Sequence, residues 1–171
     1  HRFAGHLPKF VKQVLVSITG VSNVHRYQDF RNPISKAALI VDFLKQSVPS
    51  HPQSVLDVGC NAGEITKYLN SQGFFTVGID RSEILARVRS GGEPLALIPL
   101  EIDSASVPQL PIFDCVLLLS IHHQWIATTG DDATQHLVTL LARKSRNTVV
   151  IEFSCINEKY GEPDQTLFND N

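Results

Sequence analysis

Four short stretches bring together residue types that can do chemistry. The first is Val55-Leu-Asp-Val-Gly-Cys-Asn-Ala-Gly63, where Gly59, Asn61 and Gly63 interrupt an apolar run. A turn with no side chain at Gly59 lets a ligand lie against the backbone. The helix expected next presents free N–H groups and a partial positive end, and Gly63 lets it pack close to the strand. The second is Gly78-Ile79-Asp80. Asp80 lies 21 positions after Gly59, and an acid at the end of a second strand can grip both ribose hydroxyls. Its other reading is a helix cap, a task for which Ser82 is also placed. The third is Ile102-Asp103, an acid suited to an adenine amino group or, alternatively, a solvated loop acid before Ser104. The fourth is Ser120-Ile-His-His-Gln-Trp125. His122 and His123 suit a general base or the orientation of a hydroxyl or phosphate. The bland reading has one capping a helix and the other exposed. Trp125 offers a flat wall for an acceptor ring, or core packing. No third His or acid at ligand spacing supports a metal.

These residues need a frame that gathers strand ends. From residue 54 onward strands and helices alternate: Ser54–Val58, Phe75–Ile79, Ala96–Ile102, Phe113–Ser120 and Thr148–Phe153 read as strands. Helices are expected over 62–71, 82–89 and 134–143. Continuous apolar strands separated by helices imply an α/β fold, a parallel sheet covered on both faces and doubly wound in the Rossmann-like manner. Ligands bind such sheets beyond the carboxyl ends of the strands, where all four stretches lie. Earlier in the chain, Pro33 to about Gln46 reads as a helix with Asn32 as its cap and Ala37, Ile40, Val41 and Leu44 as its buried stripe. Residues 8–19 place Phe10, Val11, Val14, Leu15 and Ile18 on one helical face, with Pro8 and Gly20 as start and stop. The expected division is an N-terminal helical extension, 1–32, and a ligand-binding domain, 33–171.

The chain of 171 residues and 18.9 kDa is one domain by size. With 43% apolar and 19% charged residues it is neither disordered nor fibrous, and no apolar run approaches the roughly 18 residues of a membrane span. A net charge of −2 argues against a general nucleic-acid binder. Residues 1–31 nonetheless hold five Lys/Arg against one acid, while residues 152–171 hold five acids against Lys159. The basic flank is either a solvated surface or a neighbour of an anionic partner. Cys60, Cys115 and Cys155, three with no CxxC spacing, disfavour a disulfide framework or zinc site and fit a reducing, cytoplasmic compartment. Cys60 and Cys115 are expected to pack as small apolar residues. A first residue of His and the lack of Met suggest an excerpt of a longer chain.

The runs Val-Leu-Asp-Val-Gly-Cys-Asn-Ala-Gly, Val-Gly-Ile-Asp and Phe-Asp-Cys-Val-Leu-Leu-Leu-Ser together resemble class I S-adenosylmethionine-dependent methyltransferases, over about residues 34–154. The resemblance implies S-adenosyl-L-methionine as cofactor. It implies that Asp57 orients the glycine loop near the methionine moiety, that Asp80 holds the ribose and that Asp103 holds the adenine amine. Gly59, Asn61, Gly63 and Ser120 complete the cofactor set. Asn61 stands where the family usually has Gly, and Asn tolerates the left-handed backbone that position needs. His122 and His123 become the candidate catalytic residues, with Gln124 and Trp125 on the acceptor side. Arg26, Tyr27 and Arg31 lie on a segment that, in similar enzymes, folds over the donor's carboxylate; the equal alternative for each is a surface role. Glu152 either points into the acceptor pocket or, the better expectation, pairs with an Arg or Lys.

The expected reaction is methyl transfer to an O or N acceptor (a small molecule, a sugar or a terminal phosphate). Short likenesses at Ser120–Trp125 raise an anionic or RNA-terminus acceptor. An acid-rich pocket of Asp57, Asp80 and Asp103 suits a sulfonium better than the pyrophosphate of a nicotinamide dinucleotide. The alternative is a catalytically silent S-adenosylmethionine-binding module. Its motive is the tail: 17 residues follow Ser154, too few for the last helix and two strands of the family's sheet. The expectation is a chain truncated after the fifth strand, or a minimal sheet whose exposed edge would pair with another chain.

Overall fold

The structure, a computed structural model, describes residues 13–18, 32–47, 54–86 and 96–153. Its strands are β1 (Gln13–Ile18), β2 (Ser54–Val58), β3 (Phe75–Asp80), β4 (Ala96–Pro99), β5 (Phe113–Leu118) and β6 (Ser145–Phe153). Its helices are α1 (Pro33–Ser47), α2 (Glu64–Ser71), α3 (Ser82–Leu85), α4 (His122–Thr129) and α5 (Asp131–Ala142), with a 3₁₀ turn at Val107–Gln109. All pairings are parallel, in the order β1-β6-β5-β2-β3-β4. The chain walks outward from β2 through β3 to β4, then returns to the other side of β2 for β5 and β6. Strand order therefore reverses between β2 and β5, and the loops after those strands part there to leave a crevice.

Alternating side chains supply both faces of the sheet. Val55, Cys115, Leu117 and Val150 pack with Ile40, Val41 and Leu44 of α1 and Leu69 of α2 on one face. Leu56, Val58, Val116, Leu118, Val149 and Ile151 pack with Leu137, Val138 and Leu141 of α5 on the other. Cover on both sides is why every residue of β5 is buried. This is the doubly wound, Rossmann-like α/β sheet that the alternating pattern implies. The expected cap of α1 is present: Asn32 Oδ1 accepts hydrogen bonds from the Ile34 N–H at 2.9 Å and the Ser35 N–H at 3.4 Å. Pro99 is tolerated because β4 is an edge strand.

The N-terminal expectation needs correcting. Over 13–18 the chain forms no helix but β1, parallel to β6, with Val14 opposite Val149 and Ile18 opposite Phe153. Gln-Val-Leu-Val-Ser-Ile is rich in β-branched residues, which fit a pleated surface. The outer edge of β6 also presents N–H and C=O groups that a further strand satisfies. The edge expected to be open beside the fifth predicted strand is thus occupied. The rest of the basic flank, including Arg26, Tyr27 and Arg31, lies outside the described residues, as does Cys155. Among the described residues no helix is long and apolar enough to cross a membrane.

Candidate functional site

The loop between β2 and α2 is held by its backbone. The N–H groups of Gly59 and Cys60 both donate to the Ile79 carbonyl, at 2.8 and 3.1 Å, and the Gly63 N–H donates to the Cys60 carbonyl at 2.9 Å. Gly59 has φ +75°, and a Cβ there would stand 2.5 Å from Ile121 Cδ1. The left-handed backbone favours glycine, and a side chain there would also have to displace the end of Ile121. Asn61 is left-handed at φ 51°, a conformation Asn accepts more readily than most residues. Gly63 starts α2 without a capping side chain. Asp57 does that work from the strand below: its Oδ2 accepts from Thr66 Oγ1 at 2.7 Å, and the Thr66 backbone also bonds to the carboxylate. Gly78 of β3 makes room for this arrangement, since a Cβ there would come within 2.7 Å of Thr66 Oγ1 and 2.8 Å of Cys60 Sγ.

Burial sets the electrostatics. Asp57 is 2% exposed. Desolvation pushes its carboxyl up to about 6, the Thr66 hydrogen bonds pull it down in part, and the Asp80 charge adds to the rise. Burial pushes the Cys60 thiol up to about 12, with Asp57 and Asp80 contributing, and raises Cys115 further. Neither cysteine is a thiolate nucleophile at neutral pH.

A cavity of about 740 Å³ opens over the crevice at the carboxyl edge. One side is made by Gly59, Asn61, Asp80, Arg81, Ile102 and Asp103. Asp80 Oδ2 accepts from the Asn61 N–H at 2.7 Å and its Oδ1 from the Arg81 N–H at 2.8 Å. It therefore ties the glycine loop to the end of β3 and keeps a lone pair on each oxygen. Asp103 Oδ1 closes its own turn, accepting from the N–H groups of Ser106 at 2.7 Å and Ala105 at 3.0 Å. Those bonds, the Ser106 backbone first, hold its carboxyl below the usual range. Asp103 is thus a turn-forming acid that also faces the cavity. Asp57 and Gly63 lie beneath the loop and do not line the cavity.

The opposite wall comes from the end of β5 and from α4 and α5. Ser120, Ile121, Gln124, Trp125, Thr128 and Thr129 line it, a spacing that marks one helical face. His122 and His123 fall off that face. Neither lines the cavity, and His122 is 1% exposed. The structure does not bring this pair to the cavity wall: α4 begins at His122, and its phase places Gln124 and Trp125 there instead. Helical periodicity counted from Ile121 was the signal that separates them. His136 of α5, which sequence reasoning passed over, does line the cavity, in phase with Ala133 and Leu137.

Glu152 has the basic partner expected of it. Lys36 Nζ of α1 donates to both Glu152 oxygens at 2.8 Å, and Ser120 Oγ donates to Glu152 Oε2 at 2.6 Å. Lys36 and Glu152 are 16% and 12% exposed at their side chains. No local pattern announces Lys36, which lies 116 positions from Glu152.

Strand order, glycine loop and acidic strand ends together define a class: the chain has the fold of class I S-adenosylmethionine-dependent methyltransferases. Among solved structures it is similar to the bifunctional kinase-methyltransferase WbdD, at TM-score 0.59 and 22% identity over 94% of this chain and 36% of that one. It is also similar to the plantazolicin methyltransferase BpumL, solved in complex with SAH, at TM-score 0.53 and 16% identity over 78% of this chain and 55% of that one. The chain thus spans little more than a third of the WbdD chain and about half of BpumL. No protein-family model and no curated protein matches the sequence.

Proposed function

We infer that the protein is an S-adenosylmethionine-dependent methyltransferase acting by in-line displacement. The observation that carries this reading is a single cavity lined by Gly59, Asn61, Asp80, Asp103 and Ser120 at the point where strand order reverses. In this reading Asp80 takes the ribose hydroxyls with its remaining lone pairs and Asp103 takes the adenine amine. The backbone of Gly59 and Asn61 supports the middle of the donor, and Asp57 fixes the loop from below through α2 and Gly63. The nucleoside then lies over β2, β3 and β4, and the reactive end points across β2 toward Ser120. Gln124 and Trp125 flank the acceptor.

The charge balance supports a cationic donor. A sulfonium a few ångströms from a carboxylate gains about 1–4 kcal/mol, depending on the local dielectric. A pyrophosphate in the same seat would face Asp80 and lie over the buried Asp57. The sulfonium is already a good leaving group, so the protein's main task is alignment, which can supply up to about 7–11 kcal/mol of the barrier. Calorimetric titration with S-adenosylhomocysteine tests the reading. Binding by the wild type, loss of binding in Asp80→Ala and no binding of NAD are the expected results. Normal affinity in Asp80→Ala would refute the assignment of the ribose. Donor binding without methylated product from any acceptor would instead identify a binding module.

A further inference from the structure

We propose that Ser120 and Glu152 form a proton relay for a neutral hydroxyl acceptor, with Lys36 as the residue that positions Glu152. This rests on the methyltransferase reading above and names the acceptor chemistry that reading leaves open. The argument begins with hydrogen-bond capacity. A carboxylate only accepts and an ammonium only donates. Between Glu152 Oε2 at 2.6 Å and Lys36 Nζ at 3.4 Å, the Ser120 hydroxyl must give its hydrogen to Glu152 and take one from Lys36. One lone pair on Ser120 Oγ is left, and Ser120 lines the cavity. Ser120 Oγ therefore offers an acceptor, not a donor, to a group that approaches it from the cavity. An O–H group satisfies it. A phosphate or carboxylate oxygen would bring lone pair against lone pair.

Position and geometry agree with this. Ser120 lies two residues beyond Leu118, which is the register partner of Val58, the residue before Gly59. It thus stands level with the glycine loop, on the side of β2 away from Asp80. Its backbone is held left-handed at φ 54°, a conformation that costs a non-glycine residue about 1–3 kcal/mol and persists only where the surroundings enforce it. The bond to Glu152 and the Gln124 Nε2 contact to the Ser120 carbonyl at 3.1 Å supply that enforcement. The 2.6 Å separation falls in the range of charge-assisted O–H···O⁻ bonds, along which a proton moves with little displacement. The other acids on the cavity are differently engaged. Asp80 and Asp103 bind backbone N–H groups, and Glu101 and Asp103 lie beyond β4 on the far side of the sheet.

The step balances. The acceptor oxygen bonds to the methyl carbon as the C–S bond breaks, and that electron pair stays on sulfur as neutral S-adenosylhomocysteine. The acceptor's proton passes to Ser120 Oγ while the Ser120 proton passes to Glu152. The positive charge lost at sulfur reappears on the Lys36–Glu152 pair, now an ammonium beside a neutral carboxylic acid. Return of that proton to solvent resets the site.

The test uses the intact protein, labelled S-adenosylmethionine and three kinds of acceptor: methyl glycosides, phenols of graded acidity and phenyl phosphate. The wild type is expected to methylate hydroxyls. Glu152→Gln should lower kcat for an un-ionised hydroxyl by about 100-fold or more, and the loss should shrink for a phenol already ionised at the assay pH. Ser120→Ala, which leaves the Lys36–Glu152 pair in place, should show the same pattern. Affinity for S-adenosylhomocysteine should be unchanged by Glu152→Gln, which also reports that the variant is folded. Equal losses for ionised and un-ionised acceptors, transfer to phenyl phosphate alone, or no methylated hydroxyl overturns the relay while the donor-binding reading stands. Failure of the wild type to bind S-adenosylhomocysteine overturns both.

Discussion

At Asp57 two influences oppose each other: burial disfavours the charged form, and the Thr66 hydrogen bonds favour it. Burial wins, and the carboxyl titrates at about 6 against an ordinary 3.8. Because the folded value is the higher one, this residue's contribution to stability is fully present below about 3.8 and is lost as pH rises through about 6. The loss is on the order of 3 kcal/mol. Asp57→Asn should therefore raise Tm above neutral pH, and the gain should vanish near pH 4, as thermal melts across the range will show. On the proposed reading a bound sulfonium favours the ionised acid, and affinity for S-adenosylmethionine should then increase as pH rises through about 6. Calorimetry should find that increase flattened in Asp57→Asn. Asp80 and Asp103, which line the cavity, could be singled out in the sequence because each closes an apolar run, although β4 itself ends at Pro99, four residues before Asp103. The Ser120–Glu152–Lys36 cluster was legible only in part, since nothing local to Lys36 distinguishes it from a solvated helix lysine.

Helix α1 shows how much an element owes to its first residue. The Asn32 carboxamide satisfies the Ile34 and Ser35 N–H groups, and the Asn32 carbonyl accepts from the Lys36 N–H at 3.1 Å. Asn32→Ala should destabilise the protein by about 0.5–2 kcal/mol, measured by urea unfolding, with donor affinity largely retained. Strands β2, β3 and β5 could be read directly, because a strand buried on both faces is a continuous apolar run bounded by turn residues. β1 could not. Val14 and Ile18 satisfy a helical stripe as well as a strand, and what decides between them is the edge of β6, which only the assembled sheet provides. Helix α4 was obscured for a related reason. His122 and His123 are adjacent in sequence, whereas the cavity selects residues by helical phase.

For the whole molecule, stability is concentrated where the sheet is covered twice. Leu117 is fully buried in the core shared with α1 and α2. Leu117→Ala should cost about 2–5 kcal/mol, read from chemical denaturation. The amides of β5, flanked by β2 and β6, should be among the last to exchange with deuterium. The amino-acid sequence alone determined the alternation of strands and helices, the glycine turn, the cap of α1 and the acids at strand ends. These are local patterns, written within one element or its immediate boundary. Tertiary structure alone decided which strand completes the sheet, which side of α4 faces the cavity, and that Lys36 meets Glu152 beside Ser120. Parallel strands bring their carboxyl ends together whatever length of chain separates them, so those contacts follow from strand order and register, which no local pattern encodes.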